Sequence, residues 1–178
     1  LLEIGQNATE KPLLSRRELW LWPLAILLSV AVLAGVIVDS AKAGWTTPST
    51  LSATGQNAEA AKVVVDSNGN AAAVWRRYTG SFWVIQAASK PAGGSWSAAT
   101  TLSPTTVDNA SPDIAIDNNG QATAVWYRYY SNSYYAVFEA TKTLNGSWVS
   151  NTTPISAGGD SYTPTIDTNA AGDTIVGY

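Results

Sequence analysis

The sequence has no cysteine, no methionine and no histidine, and only 13% of its 178 residues are charged. Without Cys or His, the usual ligands for zinc, haem and iron–sulfur clusters are missing, as are thiol and Ser–His catalysis. No cofactor is expected. No disulfide can form, so an oxidising compartment would leave no trace in the composition. Ten basic against 13 acidic residues give a net charge of −3. That balance offers no basic footprint for a polyanion, so nucleic acid is not an expected partner. A chain that lacks Met and starts at Leu1 is not expected to begin at an ordinary initiator.

What is present first is a long apolar run. Lys11, Arg16 and Arg17 precede an uncharged stretch from Leu19 to Val38, and Ala41-Lys42-Ala43 follows it. A basic flank, an apolar stretch and a small-x-small end form the three-part pattern of a secretory signal. Twenty apolar residues also suffice to span a bilayer as a helix. Residues 1–43 are therefore expected to be a cleaved signal or an uncleaved membrane anchor. In both cases Arg16 and Arg17 stay on the cytoplasmic side and the rest is exported, to the periplasm, the cell surface or the medium.

From residue 44 the chain repeats itself. Trp45, Trp96 and Trp148 recur at intervals of 51 and 52. Val63-Val-Val-Asp66-Ser-Asn-Gly69 returns as Ile114-Ala-Ile-Asp117-Asn-Asn-Gly120, and Ala73-Val74-Trp75 as Ala124-Val125-Trp126. Pro164, Ile166, Gly172 and Tyr178 mark a third copy, in which Asn169 replaces Asp117. The units run 45–95, 96–147 and 148–178, the last one incomplete.

Each unit reads as four short strands. Val63–Val65 ends in a hairpin turn of Asp-x-Asn-Gly type, Ala71–Trp75 follows, then Phe82–Ser89, and a fourth strand starts at Trp96. The second unit repeats them, with Tyr134–Thr141 third and Trp148 opening the fourth. The second and third strands are apolar or small on both faces, the mark of strands buried between sheets. The tryptophans at 75, 96, 126 and 148 are expected in the core. The fold class is all-β: tandem four-stranded antiparallel blades of a partial β-propeller, after an N-terminal hydrophobic helix. Residues 44–178 hold about 2.6 units, whereas a closed ring takes roughly four to eight blades. Self-association through unpaired blade edges, or a longer parent chain, is expected to make up the difference.

The motifs Val65-Asp66-Ser-Asn-Gly69-Asn70-Ala71, Gln86-Ala87-Ala88 and Gly93-Gly94-Ser95-Trp96-Ser97 resemble those of bacterial exported proteins built from tandem repeats of this length. The resemblance covers residues 45–178 and implies a propeller-like repeat. Asp-x-x-Gly is also similar to the Asp-box of sialidases, which is spaced Asp-x-Gly.

Candidate sites follow from the loops. The second-to-third turn and the fourth-to-first linker emerge on one face, which is the longer and more varied surface. It holds Arg77, Tyr78, Arg128, Tyr129, Tyr130, Asp108, Asn109, Asp160 and Tyr162 as candidate binding residues. Aromatic faces with Arg donors suit a glycan or a protein side chain. Asp66 and Asp117 are either hairpin caps or weak calcium ligands. No catalytic residue is selected: Asp108, Asp113, Asp160 and Glu139 offer carboxylates, but no spacing singles out a pair. The expected function is an exported binding or scaffold module. The alternatives are part of a sialidase-like enzyme and a structural repeat filament.

Overall fold

The computed structural model describes residues 47–131 and 133–178. Residues 48–178 form one compact unit. The apolar run 19–38 and its expected helix lie outside the described residues. Among those described no helix is long and apolar enough to cross a membrane.

Two four-stranded antiparallel meanders and a two-stranded hairpin make up the fold. The first blade is β1 (Ala58–Val65), β2 (Ala71–Tyr78), β3 (Trp83–Lys90) and β4 (Thr100–Thr101), in that spatial order. The second is β5 (Asn109–Ile116), β6 (Ala122–Tyr130), β7 (Tyr134–Lys142) and β8 (Val149–Ser150). The third copy supplies β9 (Thr165–Thr168) and β10 (Thr174–Gly177).

Alanine-rich central strands let the sheets stack face to face. Ala72, Val74, Ile85, Ala87 and Leu102 of the first blade share one buried cluster with Ile114, Ala124, Trp126, Phe138 and Ala140 of the second. Small residues on one wall admit Trp126 and Phe138 from the other, whose rings stack at 6.5 Å. The opposite face of β2 gathers Ala73, Trp75 and Ala88, with Leu51 and Trp96 against them. Trp75 and Trp126 are buried, as expected, whereas Trp96 and Trp148 are only half-buried.

Three turns repeat the same chemistry. Asp66 Oδ1 accepts the amides of Asn68 at 2.9 Å and Asn70 at 2.8 Å, and Asp117 Oδ1 does the same for Asn119 and Gln121. In the third copy Asn169 Oδ1 takes over, accepting from Ala171 and Asp173. Gly69, Gly120 and Gly172 then turn the chain at φ of 88°, 75° and 95°, a region open to glycine.

The strands depart from the sequence reading in three places. β2 and β6 run on past Trp75 and Trp126 to Tyr78 and Tyr130, so Arg77, Tyr78, Arg128, Tyr129 and Tyr130 stand on strands rather than in the turn. β1 and β5 start five residues before Val63 and Ile114, each interrupted by a bulge. Ala60, Ser111 and Thr163, equivalent in the repeat, all hold positive φ there, at 54°, 46° and 45°. A bulge breaks the two-residue alternation, which hides the outer half of the strand from pattern reading. The fourth strands are two residues each and start after Trp96 and Trp148; they end early because the linker takes over the edge from Ser103 and Ser156 on.

Candidate functional site

β4 covers only the middle of β3 and β8 only the last part of β7, leaving N–H and C=O groups toward the start of each third strand to find partners elsewhere. The fourth-to-first linker provides them. Ile85 N–H donates to Ser103 Oγ at 2.8 Å and Trp83 N–H to Asp108 Oδ1 at 2.8 Å. One unit on, Val137 N–H donates to Ser156 Oγ at 3.1 Å and Tyr135 N–H to Asp160 Oδ1 at 2.9 Å. Asn109, fully buried, donates from Nδ2 to the carbonyls of Trp83 at 3.0 Å and Val107 at 2.7 Å. The linker is thus a clasp. The antiparallel hairpins, not the clasp, set the start of the third strand beside the end of the second.

An aromatic cluster sits at each clasp. In the second unit, Tyr127 and Tyr129 from β6, Tyr135 from β7 and Tyr162 from the next linker converge. Ring centroids are 5.8 Å apart for Tyr127–Tyr135, 5.5 Å for Tyr127–Tyr162, 5.1 Å for Tyr129–Tyr135 and 4.9 Å for Tyr135–Tyr162. Three of these rings stay accessible: Tyr129 is 40% exposed, Tyr135 36% and Tyr162 44%. Desolvation within the cluster and the neighbouring Asp160 carboxylate raise the Tyr162 phenol above its ordinary pKa. The group therefore stays protonated, a donor and acceptor at neutral pH.

The first unit has the same geometry with different chemistry. Tyr78 lies 5.4 Å from Trp83, and the Arg76 guanidinium sits 4.5 Å over the Trp83 ring while pairing with Glu59. Arg76, Tyr78 and Trp83 occupy the repeat positions of Tyr127, Tyr129 and Tyr135.

The structure sorts the residues expected to bind. Tyr129, Asp160 and Tyr162 come together, and Tyr78 holds the equivalent place one unit earlier. Arg128 and Tyr130 point to the other face of β6, where the Arg128 guanidinium lies 3.9 Å over Phe138 and 5.6 Å over Tyr130. Burial there lowers the Arg128 pKa, against the opposing pull of Tyr130. Arg77 is half-buried on the face of β2 that carries Ala73 and Trp75. Asp108 and Asn109 serve the clasp, and so does Asp160 through Tyr135. Tyr127 and Tyr135 are the members not among the candidate binding residues. Their signal was the alternation along β6, which puts 127 and 129 on one face.

Asp66 and Asp117 act as turn caps. Burial would raise the Asp66 carboxyl, but the Asn70 side chain and the amides of Asn70, Asn68 and Gly69 outweigh it and hold the pKa low. No three acidic, histidine or cysteine side chains gather among the described residues in a way that could hold a metal ion. Of the carboxylates weighed for hydrolysis, Asp113 Oδ2 accepts the Ile166 amide at 3.1 Å, which joins the second unit to the third.

No protein-family model and no curated protein sequence matches the chain. Two solved structures are similar in course. An α-L-arabinanase of Penicillium chrysogenum, complexed with arabinobiose, is 8% identical over 68% of this chain with a TM-score of 0.45. An endo-arabinase of Bacteroides thetaiotaomicron is 13% identical over 72% of this chain with a TM-score of 0.48. The chain spans 39% and 53% of the lengths of those two proteins.

Proposed function

We propose that the chain is an exported or cell-surface binding module of propeller-like blades that presents an aromatic platform at each blade junction. The convergence of Tyr127, Tyr129, Tyr135 and Tyr162 carries this reading. Three partly exposed phenol rings on a sheet-and-clasp scaffold offer flat apolar faces with hydroxyls at their rims. That combination suits a sugar ring or an aromatic peptide side chain, because it gives contact area at small entropic cost. Holding the rings on β6 and β7 rather than on a free loop adds preorganisation. The finer assignment is to the bacterial exported repeat proteins that the sequence resembles, with residues 1–43 as signal or anchor.

Incubating the chain on an array of neutral and acidic glycans tests the reading. Saturable binding that is lost in Tyr129→Ala/Tyr162→Ala supports it. Turnover of a sialoside would replace it with the enzymatic alternative. N-terminal sequencing of the exported product should find Gly44, and an intact 1–43 segment in the membrane fraction would show anchoring instead.

A further inference from the structure

The sequence has no cysteine, methionine or histidine, so tyrosine and tryptophan are its readily oxidised side chains. No disulfide can hold the clasp between β7 and the linker that leads to β9. The clasp instead fixes a tyrosine on each of its two sides. Asp160 Oδ1 accepts the Tyr135 amide at 2.9 Å, and the Ser161 amide donates to the Tyr135 carbonyl at 2.9 Å. Tyr162 follows directly, and its ring lies 4.9 Å from that of Tyr135 with the planes inclined by 37°. At that separation the ring edges are in van der Waals contact.

The other tyrosine pairs of the cluster are wider and more steeply inclined. Tyr129–Tyr135 stands at 5.1 Å and 56°, Tyr127–Tyr162 at 5.5 Å and 77°, and Tyr127–Tyr135 at 5.8 Å and 69°. On the opposite face of β6, Tyr130 and Tyr134 meet edge to face at 5.8 Å. The first unit has Trp83 and Ala110 at the repeat positions of Tyr135 and Tyr162, so it has no equivalent pair.

We propose that Tyr135 and Tyr162 form a site of oxidative cross-linking, in which a carbon–carbon bond between the ortho positions of their rings closes the clasp covalently. Each phenol gives up one electron and its hydroxyl proton, and the Asp160 carboxylate beside Tyr162 takes the proton of that phenol. The two phenoxyl radicals couple, and each ortho hydrogen leaves as a proton that returns to its ring oxygen. The net loss of two electrons and two protons reduces one hydrogen peroxide to two waters at the haem of a peroxidase, the class of oxidant the step requires. Holding the rings in contact favours this bond over coupling between molecules. The site does not depend on ligand binding, and phenylalanine at either position keeps the ring face of the platform while removing the phenol.

The 178-residue protein in detergent is treated with hydrogen peroxide and a haem peroxidase, folded and in urea. The monomer band is cut from a denaturing gel and digested with trypsin, which cleaves after Arg128 and Lys142 and so parts Tyr135 from Tyr162. Mass spectrometry should find peptide 129–142 joined to the peptide carrying Tyr162, two hydrogens lighter than their sum. Tyr135→Phe and Tyr162→Phe should each lower that product at least about tenfold, Tyr134→Phe less than about twofold, and urea should abolish it. A product undiminished by urea or by Tyr162→Phe would overturn the assignment. So would coupling confined to residues 129–142, a link made to the peptide carrying Tyr127 instead, or no coupling in the folded monomer.

Discussion

Ile114 and Val63 occupy the same place in successive repeats, yet one is 3% exposed and the other 64%. Truncating each to Ala measures what that difference is worth. Ile114→Ala removes three buried carbons from the cluster shared with Ala72, Val74 and Trp126. At about 0.8 kcal/mol per buried CH₂ plus a cavity term, the loss is about 2–4 kcal/mol. Val63→Ala removes two carbons whose burial is only about a third complete. Its expected loss is about 0.5 kcal/mol, similar to an ordinary surface change. Urea denaturation at low protein concentration, followed by tryptophan fluorescence, reads both values from the midpoint shift at unchanged m. Equal losses for the two variants would refute the assignment of inner and outer faces. So would a loss below about 1 kcal/mol for Ile114→Ala.

Three further outcomes follow from the turns and clasps. Gly120→Ala should cost more than Gly69→Ala. Both sit at positive φ, but an added Cβ at 120 meets Leu144 Cδ1 at 2.9 Å, whereas at 69 its nearest neighbour is Ala92 Cβ at 3.7 Å. The expected losses by denaturation are about 2–3 and about 1 kcal/mol. Asn109→Ala leaves the Trp83 and Val107 carbonyls without their buried donor and should cost about 1–3 kcal/mol, with faster amide exchange at Trp83 and Ile85. Asp66→Asn turns an accepting oxygen into a donor facing Asn70 Nδ2, for about 1–2 kcal/mol at neutral pH. The Asp66 pKa is lowered on folding, so its stabilisation is present above the unfolded value and lost as pH falls through the folded one. The difference between wild type and Asp66→Asn should therefore be constant from pH 6 to 8 and shrink below about pH 4. A gap that widens on acidification would contradict this.

Much of the fold was legible because the repeat exposes it. Ala73-Val74-Trp75 and Ala124-Val125-Trp126 place two buried strands directly, and Asp-x-x-Gly places the turn that leads into each of them. The outer halves of β1 and β5 were not legible, since the residue that bulges, Ala60 or Ser111, carries no glycine to announce its positive φ. The short β4 and β8 were overestimated for a related reason. Ser103 and Asp108 do the pairing that a longer strand would do, and side-chain pairing has no two-residue period. At the candidate site, the sequence grouped Arg128, Tyr129 and Tyr130 by proximity along the chain. Strand geometry sends neighbours to opposite faces, so Tyr129 joins Tyr127 while Arg128 and Tyr130 turn to Phe138. Tyr162 reaches the cluster through the linker, where Asp160 accepts from the Tyr135 amide and the Ser161 amide donates to the Tyr135 carbonyl, long-range contacts that no local pattern encodes.

That split of β6 into two faces gives the most direct test of the binding reading. For a glycan retained on the array, affinity is measured by surface plasmon resonance for wild type, Tyr129→Ala/Tyr162→Ala and Arg128→Ala/Tyr130→Ala. The junction platform predicts binding weakened at least tenfold in the first pair and changed less than twofold in the second. Loss confined to the Arg128 and Tyr130 variant, with the tyrosine pair binding like wild type, would contradict the account.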